Sequence, residues 1–246
     1  MTAKLFGVPA SHPSACAEAA LVVKCIPYRR VDRIPLLHKL PQRLRFGRPT
    51  VPGLILDGER IAGSREILRR LDELVPEPSL YPGEGTLLDE IEHAERWGEE
   101  VLQPAARRLA YASLRRRSRA LRSYFEGVRL ILPTFLVMMS RGPSIALGAR
   151  LNAATDENVR RDLRELPGWL DRIDGWIEAG VLGGPEPNAA DLQVGASLRL
   201  LLTLGDLLQL LEGRQAAALA RRHFAHFPGE VPAGALPPDW LPEAAR

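Results

Sequence analysis

Two serines and a cysteine near the start of the chain carry side chains that could take part in chemistry. They are Ser11, Ser14 and Cys16. Pro13 is favoured at the start of a helix, and a helix that begins there leaves Ser11 beside unpaired backbone N–H groups and the positive end of the helix dipole. Such a position favours a bound anion such as a thiolate. Ser11 is therefore the first candidate, and Ser14 takes its place if the helix begins later.

The cysteines predict no sulfur chemistry by the protein itself. Cys16 and Cys25 are the two cysteines of the chain. They are too few for a disulfide framework or a zinc site and too widely spaced for a CxxC redox pair. Cys16 is expected to pack as an inert apolar residue. We therefore expect the reactive sulfur to arrive with a ligand, and we predict no metal site.

Two basic segments are further candidates for anion binding. In the first, one member could hold a ligand carboxylate, or the segment could be a solvated loop. It contains His38, Lys39, Arg43, Arg45 and Arg48.

The second basic segment lies between Glu100 and Glu126 and contains seven arginines and no acidic residue. It could bind nucleic acid or an acidic partner, with Tyr111 and Tyr124 able to stack. The favoured interpretation is the solvated face of an amphipathic helix, because four of the arginines follow helical spacing. These four are Arg108, Arg115, Arg119 and Arg122.

Composition and charge limit the class of protein. The chain has 246 residues, of which 46% are apolar and 26% charged, so it is long and apolar enough for packed cores, and intrinsic disorder is excluded. The longest uncharged stretch, residues 5–17, is 13 residues long, whereas a membrane span needs roughly 20. No secretory leader is recognisable, so we expect a cytoplasmic location and no membrane association.

The positive charge is concentrated in the first part of the chain. Residues 1–77 contain 13 Lys and Arg against 8 Asp and Glu, within a net charge of +3 for the whole chain. This excess is modest for a nucleic-acid-binding module but suits the capture of a small anion. Nucleic-acid binding is therefore disfavoured.

Local patterns predict two domains joined by a linker. Strand, helix and strand patterns at 4–8, 13–24 and 28–32 indicate a βαβ unit. A hairpin around Asp57-Gly58 and a helix from Ser64 follow. The Pro- and Gly-rich residues 78–86 form the predicted linker between domain 1–77 and an all-helical domain 87–246.

Several features are expected within the helical domain. Its signals include a capping box at Thr86 and Asp89, a stripe at 159–177 that Pro167 should kink or restart, and a second capping box at Asn188 and Asp191. The apolar segment 130–139 packs in the core or lines a ligand pocket. The Pro-rich tail 228–246 is expected to be extended or disordered, with Trp240 as an anchor.

Several motifs together resemble cytosolic glutathione S-transferases. The opening segment 4–11 and the turn Lys24-Cys25-Ile26-Pro27-Tyr28 are similar to the start of that family. The Val51-Pro52 pair, and Gly63-Ser64 after the hairpin, match the rest of its thioredoxin-like domain. The segments 182–184 and 187–192 resemble a helix-start signature of its helical domain.

The resemblance implies a Ser-type, bacterial glutathione S-transferase-like enzyme of the α/β plus all-α class, with a βαβ-ββα N-terminal domain. It implies that Ser11 stabilises the thiolate of glutathione, a co-substrate, for attack on an apolar electrophile. It also implies a cis Val51-Pro52 bond, an electrophile pocket built largely by the helical domain, and a homodimer. The implied glutathione-binding residues are Lys39, Val51, Pro52, Gly63 and Ser64.

One departure from the family pattern motivates an alternative function. Gly63 stands where the family usually has an acidic residue or Gln that contacts the γ-glutamyl group. This change, together with the arginine-rich segment, is consistent with a non-catalytic scaffolding module for a protein or polyanionic partner. A dithiol oxidoreductase is disfavoured because Ser11 and Ser14 stand where that chemistry needs cysteines.

Overall fold

The N-terminal domain contains a four-stranded mixed sheet with three helices. The computed structural model describes residues 1–128 and 138–243. The elements of this domain are β1 (Ala3–Gly7), α1 (His12–Val23), β2 (Tyr28–Asp32), α2 (Lys39–Phe46), β3 (Gly53–Leu56), β4 (Glu59–Ala62) and α3 (Ser64–Leu74). The strand order is β2-β1-β3-β4. Strand β1 is parallel to β2 and antiparallel to β3, and β4 is antiparallel to β3.

Local sequence signals account for most of this domain. Asp57 and Gly58 both have positive φ angles, 47° and 93°, as a two-residue hairpin turn requires. Leu5 of β1 lies opposite Leu54 of β3, and both side chains are fully buried. The basic segment 38–48 is not a loop as one interpretation of the sequence predicts, because Lys39, Arg43 and Arg45 lie in helix α2.

The second domain is helical throughout its described residues. Its α-helices are α4 (Thr86–Trp97), α5 (Gln103–Arg116), α6 (Arg141–Leu151), α7 (Asp156–Glu178), α8 (Ala189–Leu201), α9 (Leu208–Leu211) and α10 (Gln215–His223). A π-helical turn, Gly98–Leu102, joins α4 to α5. Short 3-10 helices span Ser118–Phe125, Gly205–Leu207 and Pro238–Trp240.

Two of the predicted helix signals require correction. Helix α4 has Gly85 as its N-cap and no side-chain cap, so the expected capping box at Thr86 and Asp89 is not formed. Helix α7 does not restart at Pro167, which lies inside one continuous helix.

The capping box at the start of α8 is formed as predicted. Asn188 Oδ1 accepts from Asp191 N at 3.0 Å, and Asp191 Oδ2 accepts from Asn188 N at 3.0 Å. Helix α8 is buried on almost all sides and packs against α1 of the first domain and against α4, α5 and α10 of its own. It is therefore the central helix of the molecule.

The C-terminal tail packs against the helical domain. Asp206 accepts backbone hydrogen bonds from residues 234–236. The Trp240 ring is buried, with the guanidinium groups of Arg116 and Arg160 lying 4.7 and 4.6 Å from its centre. Trp240 therefore anchors the tail, as the sequence predicted.

The observed architecture confirms the predicted fold class, a thioredoxin-like domain followed by a helical domain. Within the described residues, no helix is both long and apolar enough to cross a bilayer.

Candidate active site

A cavity of about 570 Å³ lies between the two domains. On one side it is lined by the loop after β1, the loop after β2 and residues 49–51. On the other side it is lined by α5, α6 and the 3-10 helix that follows α5. Most of the lining is apolar, with a few polar groups from both domains. This combination is typical of a small-molecule site between domains.

The start of α1 places Ser11 at this cavity. Ser11 is the N-cap of α1, and its Oγ accepts from Ser14 N at 3.3 Å and from Ser14 Oγ at 2.9 Å. Ser14 is fully buried and does not line the cavity, whereas Ser11 does. Because the Ser14 hydroxyl donates a hydrogen bond to Ser11 Oγ, the Ser11 hydroxyl can donate its own hydrogen bond to another acceptor. The geometry thus separates two serines that the sequence left as alternatives.

His12, which follows Ser11, is a site residue that the sequence analysis did not identify. It is 3% exposed and lines the cavity. Burial lowers its pKa well below the usual range, and the positive charge of Arg107 lowers it further. The ring is therefore neutral at neutral pH. Among the described residues, its Nε2 has no hydrogen-bond partner. A buried histidine of this kind leaves no signal in the local sequence pattern.

The residues that the resemblance assigns to glutathione binding form a strip, and only part of this strip lines the cavity. Lys39, the first residue of α2, and Val51 both line it. The Val51-Pro52 bond is cis, as the resemblance implied. Gly63 N donates to Pro52 O at 3.1 Å, which brings the start of α3 next to this turn. Gly63 and the buried Ser64 lie beside the cavity without lining it.

A carboxylate occupies the place of the missing side chain at Gly63. Gly63, and not Ser64, is the N-cap of α3, and its φ is 102°. A Cβ built on Gly63 would overlap the carboxylate of Glu66, which pairs with Arg48 Nη1 at 3.0 Å. Glu66 is not among the site residues predicted from the sequence. A glutamate three residues after an N-cap is the signal that could have found it.

The helical domain contributes a polar group of three residues to the opposite wall. Arg107 and Tyr111 lie one turn apart on α5, and Asn152 follows α6. Arg107 Nη1 donates to Asn152 Oδ1 at 3.3 Å. Burial lowers the pKa of Arg107 and raises that of Tyr111. The Tyr111 ring lies against Gly148, where a side chain would overlap it.

The other arginines of this segment do not all lie on one helix. Arg108 makes two hydrogen bonds to the buried Asp162, at 2.5 and 2.9 Å. Arg116 packs on Trp240, and helix α5 ends at that residue. Arg119 and Arg122 lie in the following 3-10 helix. The prediction that Arg108, Arg115, Arg119 and Arg122 share one amphipathic helix is therefore wrong, because α5 contains only the first two.

The remaining sequence predictions concern sulfur, metals and the apolar segment. Cys16 is fully buried, as expected for a packed residue; its Sγ lies 3.4 Å from Gln193 Oε1, and burial raises the pKa of its thiol. The described part of the chain contains no cluster of side chains suited to a metal ion. Of the segment 130–139, residues 130–137 lie outside the described residues.

Comparisons with known proteins bear on this architecture. Residues 5–79 match the family model of the glutathione S-transferase N-terminal domain. The first domain is therefore similar in sequence to the glutathione S-transferase N-terminal domain. No curated protein matches the chain in sequence.

Solved glutathione transferases and a related-fold enzyme share the fold of this chain over about nine tenths of its length. One from Populus trichocarpa is 15% identical, with a TM-score of 0.62 over 91% of this chain and 94% of its own. One from Rhodospirillum rubrum is 17% identical, with a TM-score of 0.58 over 91% and 86%. A beta-etherase from Sphingobium sp. strain SYK-6 is 16% identical, with a TM-score of 0.59 over 92% and 99%. The chain therefore has the glutathione S-transferase fold.

Proposed function

We propose that this protein is a glutathione transferase of the Ser type. Ser11 and the N-terminus of α1 stabilise the thiolate of bound glutathione, and this thiolate attacks an apolar electrophile in the cavity between the domains. The observation that carries the proposal is the position of Ser11, which caps α1 at the wall of that cavity. Its hydroxyl proton is available because Ser14 donates to it.

The strip beside the cavity offers groups that suit each part of glutathione. The backbone of Val51 is available to the cysteinyl part, in the manner of an added strand. Ser64 and the N-terminal amides of α3 suit the γ-glutamyl carboxylate. Lys39 is a cation for the glycyl carboxylate. Glu66, which occupies the place of a side chain at Gly63, supplies a carboxylate for the γ-glutamyl ammonium.

The available interactions are large enough for the chemistry. Lowering a thiol pKa from about 8.5 to about 6.5 requires roughly 2.7 kcal/mol. A hydrogen bond to a charged group contributes about 1.5–3 kcal/mol, and the helix terminus contributes about 0.3–1 kcal/mol. Ser11 and the helix terminus can therefore supply the required stabilisation without a protein cysteine.

Replacing Ser11 tests this assignment. In Ser11→Ala, the rate of glutathione conjugation to a model electrophile is expected to fall about 10- to 100-fold, since one charge-assisted hydrogen bond is lost. The pKa of bound glutathione, measured by the ultraviolet absorbance of the thiolate, is expected to rise by about 1–2 units. Ser14→Ala is the matched comparison, and its conjugation rate should fall less than that of Ser11→Ala. Unchanged turnover and thiolate pKa in Ser11→Ala would refute the role of Ser11.

The scaffolding alternative makes different predictions. It requires retention on polyanions at physiological salt and no thermal stabilisation by glutathione. Two arginines of the segment between Glu100 and Glu126 are not available for it, because Arg107 lines the cavity and Arg108 is paired with Asp162. The other five arginines of the segment are exposed.

We also expect a cytoplasmic location and a homodimer. Sedimentation of the purified chain would test the oligomeric state.

A further inference from the structure

The cavity has a charge distribution that the proposed thiol chemistry does not explain. Among the described residues that line it, none is Asp or Glu. Burial lowers the pKa of both lining histidines, His12 and His38, so they are neutral at neutral pH. Within the described part of the lining, the side chains that carry charge are therefore Lys39 of the first domain and Arg107 of the second. Both are cations.

Arg107 is a partly buried cation without a carboxylate partner among the described residues. Its hydrogen-bond partner is the neutral Asn152, at 3.3 Å. The segments outside the described residues, 129–137 and 244–246, contain no Asp or Glu. The next residue in the chain, Arg108, shows the usual arrangement, because it makes two hydrogen bonds to the buried Asp162. An unpaired buried charge is costly unless a ligand supplies the opposite charge.

The surroundings of Arg107 hold it toward the cavity. Asn152 Nδ2 donates to Gly148 O at 2.7 Å, which fixes the amide oxygen that accepts from Arg107. Tyr111 lines the cavity one turn further along α5, and among the described residues its hydroxyl has no hydrogen-bond partner. The charge of Arg107 lowers the pKa of His12, the neighbour of Ser11, so this cation acts close to the start of α1.

We propose that Arg107 and Tyr111 form an anion subsite for the second substrate, which is an apolar molecule that carries one carboxylate. The guanidinium fork pairs with the carboxylate, Tyr111 donates a further hydrogen bond, and the apolar lining covers the rest of the molecule. This inference deepens the proposed function, because it assigns a substrate class to the same cavity. Arg107 is then a specificity-determining residue of the helical domain.

A pair of matched probes tests the subsite without any turnover. Calorimetry on the full chain at neutral pH would compare 4-phenylbutanoate with 4-phenylbutan-1-ol, each with and without glutathione. The acid is expected to bind about tenfold more tightly than the alcohol, as a charge-assisted pair implies. In Arg107→Gln the affinity for the acid should fall to that for the alcohol, while the affinity for the alcohol stays the same.

Control variants make the test specific. Arg150→Gln removes an exposed arginine of α6 that does not line the cavity, and it should keep the wild-type preference. If Arg107→Gln does not fold, Arg107→Met keeps the length of the side chain without its charge and should show the same loss. Equal binding of acid and alcohol by the wild type, or a preference that survives in the folded Arg107 variant, would overturn the subsite.

Glutathione titrations separate this inference from the proposed function. If the acid is preferred through Arg107 but glutathione does not bind, the subsite holds and the transferase proposal fails. If glutathione binds and the acid is not preferred, the subsite fails and the transferase proposal holds. If Arg107→Gln weakens glutathione binding and leaves the preference for the acid intact, Arg107 binds glutathione and the subsite is refuted.

Discussion

At the residue scale, the carboxylate of Glu66 takes the space that a side chain three residues earlier, at Gly63, would fill. Gly63 lacks the acidic or Gln side chain that the family usually has there. Glu66 places its carboxylate in the space that a side chain at Gly63 would take, and Arg48 pairs with this carboxylate. The positive φ of Gly63 allows this arrangement, because other residues adopt that conformation only with strain. The departure at Gly63 therefore does not remove the carboxylate from the site.

The assignment of Glu66 to glutathione gives a prediction at this scale. Glu66→Gln is expected to weaken glutathione binding about tenfold, because an amide cannot pair with the γ-glutamyl ammonium as a carboxylate does. Thermal stabilisation by glutathione, or calorimetry, measures the change. The stability of the free protein should move little, since the Glu66 pair with Arg48 is exposed.

Glu73→Gln is the matched control for this prediction. Glu73 is an exposed glutamate of the same helix and pairs with Arg70 on the surface. It should leave glutathione affinity at the wild-type value. Equal affinities of Glu66→Gln and wild type would contradict the role of Glu66.

At the element scale, helix α8 depends on a buried polar start. Asp191 accepts from Asn188 N at 3.0 Å and from Gly183 N at 2.7 Å, so one carboxylate satisfies the helix cap and the preceding turn. Burial raises the pKa of Asp191 although these donors oppose the shift. Because α8 packs on both domains, its first turn supports the position of α1 as well as its own domain.

Loss of this cap should therefore reduce the stability of the whole protein. Asp191→Ala is expected to lower the free energy of unfolding by about 2 kcal/mol, since one buried and one partly buried N–H donor lose their acceptor. Urea unfolding measures the change. Asp156→Ala, an exposed acid in the first turn of α7, is the control and should cost less than about 0.5 kcal/mol. Equal losses in the two variants would count against the buried cap.

At the scale of the whole molecule, a buried ion-pair network joins the two domains. Glu95 of α4 is fully buried and contacts Arg65 and Arg69 of α3, at 3.2 and 3.6 Å. Tyr81 of the linker donates to Glu95 Oε1 at 2.7 Å. Burial raises the pKa of Glu95, while the two arginines and Tyr81 lower it. One carboxylate thus connects the first domain, the linker and the helical domain.

Removing this carboxylate should destabilise both domains together. Glu95→Ala is expected to lower the free energy of unfolding by about 3 kcal/mol, because the Tyr81 hydroxyl loses its acceptor and the partly buried Arg65 keeps only its pair with Glu99. Unfolding should still occur in one transition when followed by both fluorescence and circular dichroism. Glu92→Ala removes a partly exposed partner of Arg69 on the same helix and should cost less than about 1 kcal/mol. If the free energy of unfolding fell no more in Glu95→Ala than in Glu92→Ala, the role of the network would be refuted.

The sequence by itself determined the features that depend on neighbouring residues. Asp57 and Gly58 specify their hairpin, Asn188 specifies the start of α8, and Ser11 stands before a helix-starting proline, because turns and caps are decided within a few residues. The motifs also led to the fold class and to the cis bond at Val51. The catalytic role of Ser11 stays a prediction.

Only the tertiary structure decided how residues that are distant in the chain share the cavity. Arg107 and Arg108 have the same side chain and adjacent positions, yet one faces the cavity and the other pairs with Asp162, because successive residues of a helix point in different directions. The burial of His12 is likewise set by contacts across the fold, with Gln103 and Arg107 of the second domain. Such contacts join residues far apart in the chain, so the local spacing of residue types does not reveal them.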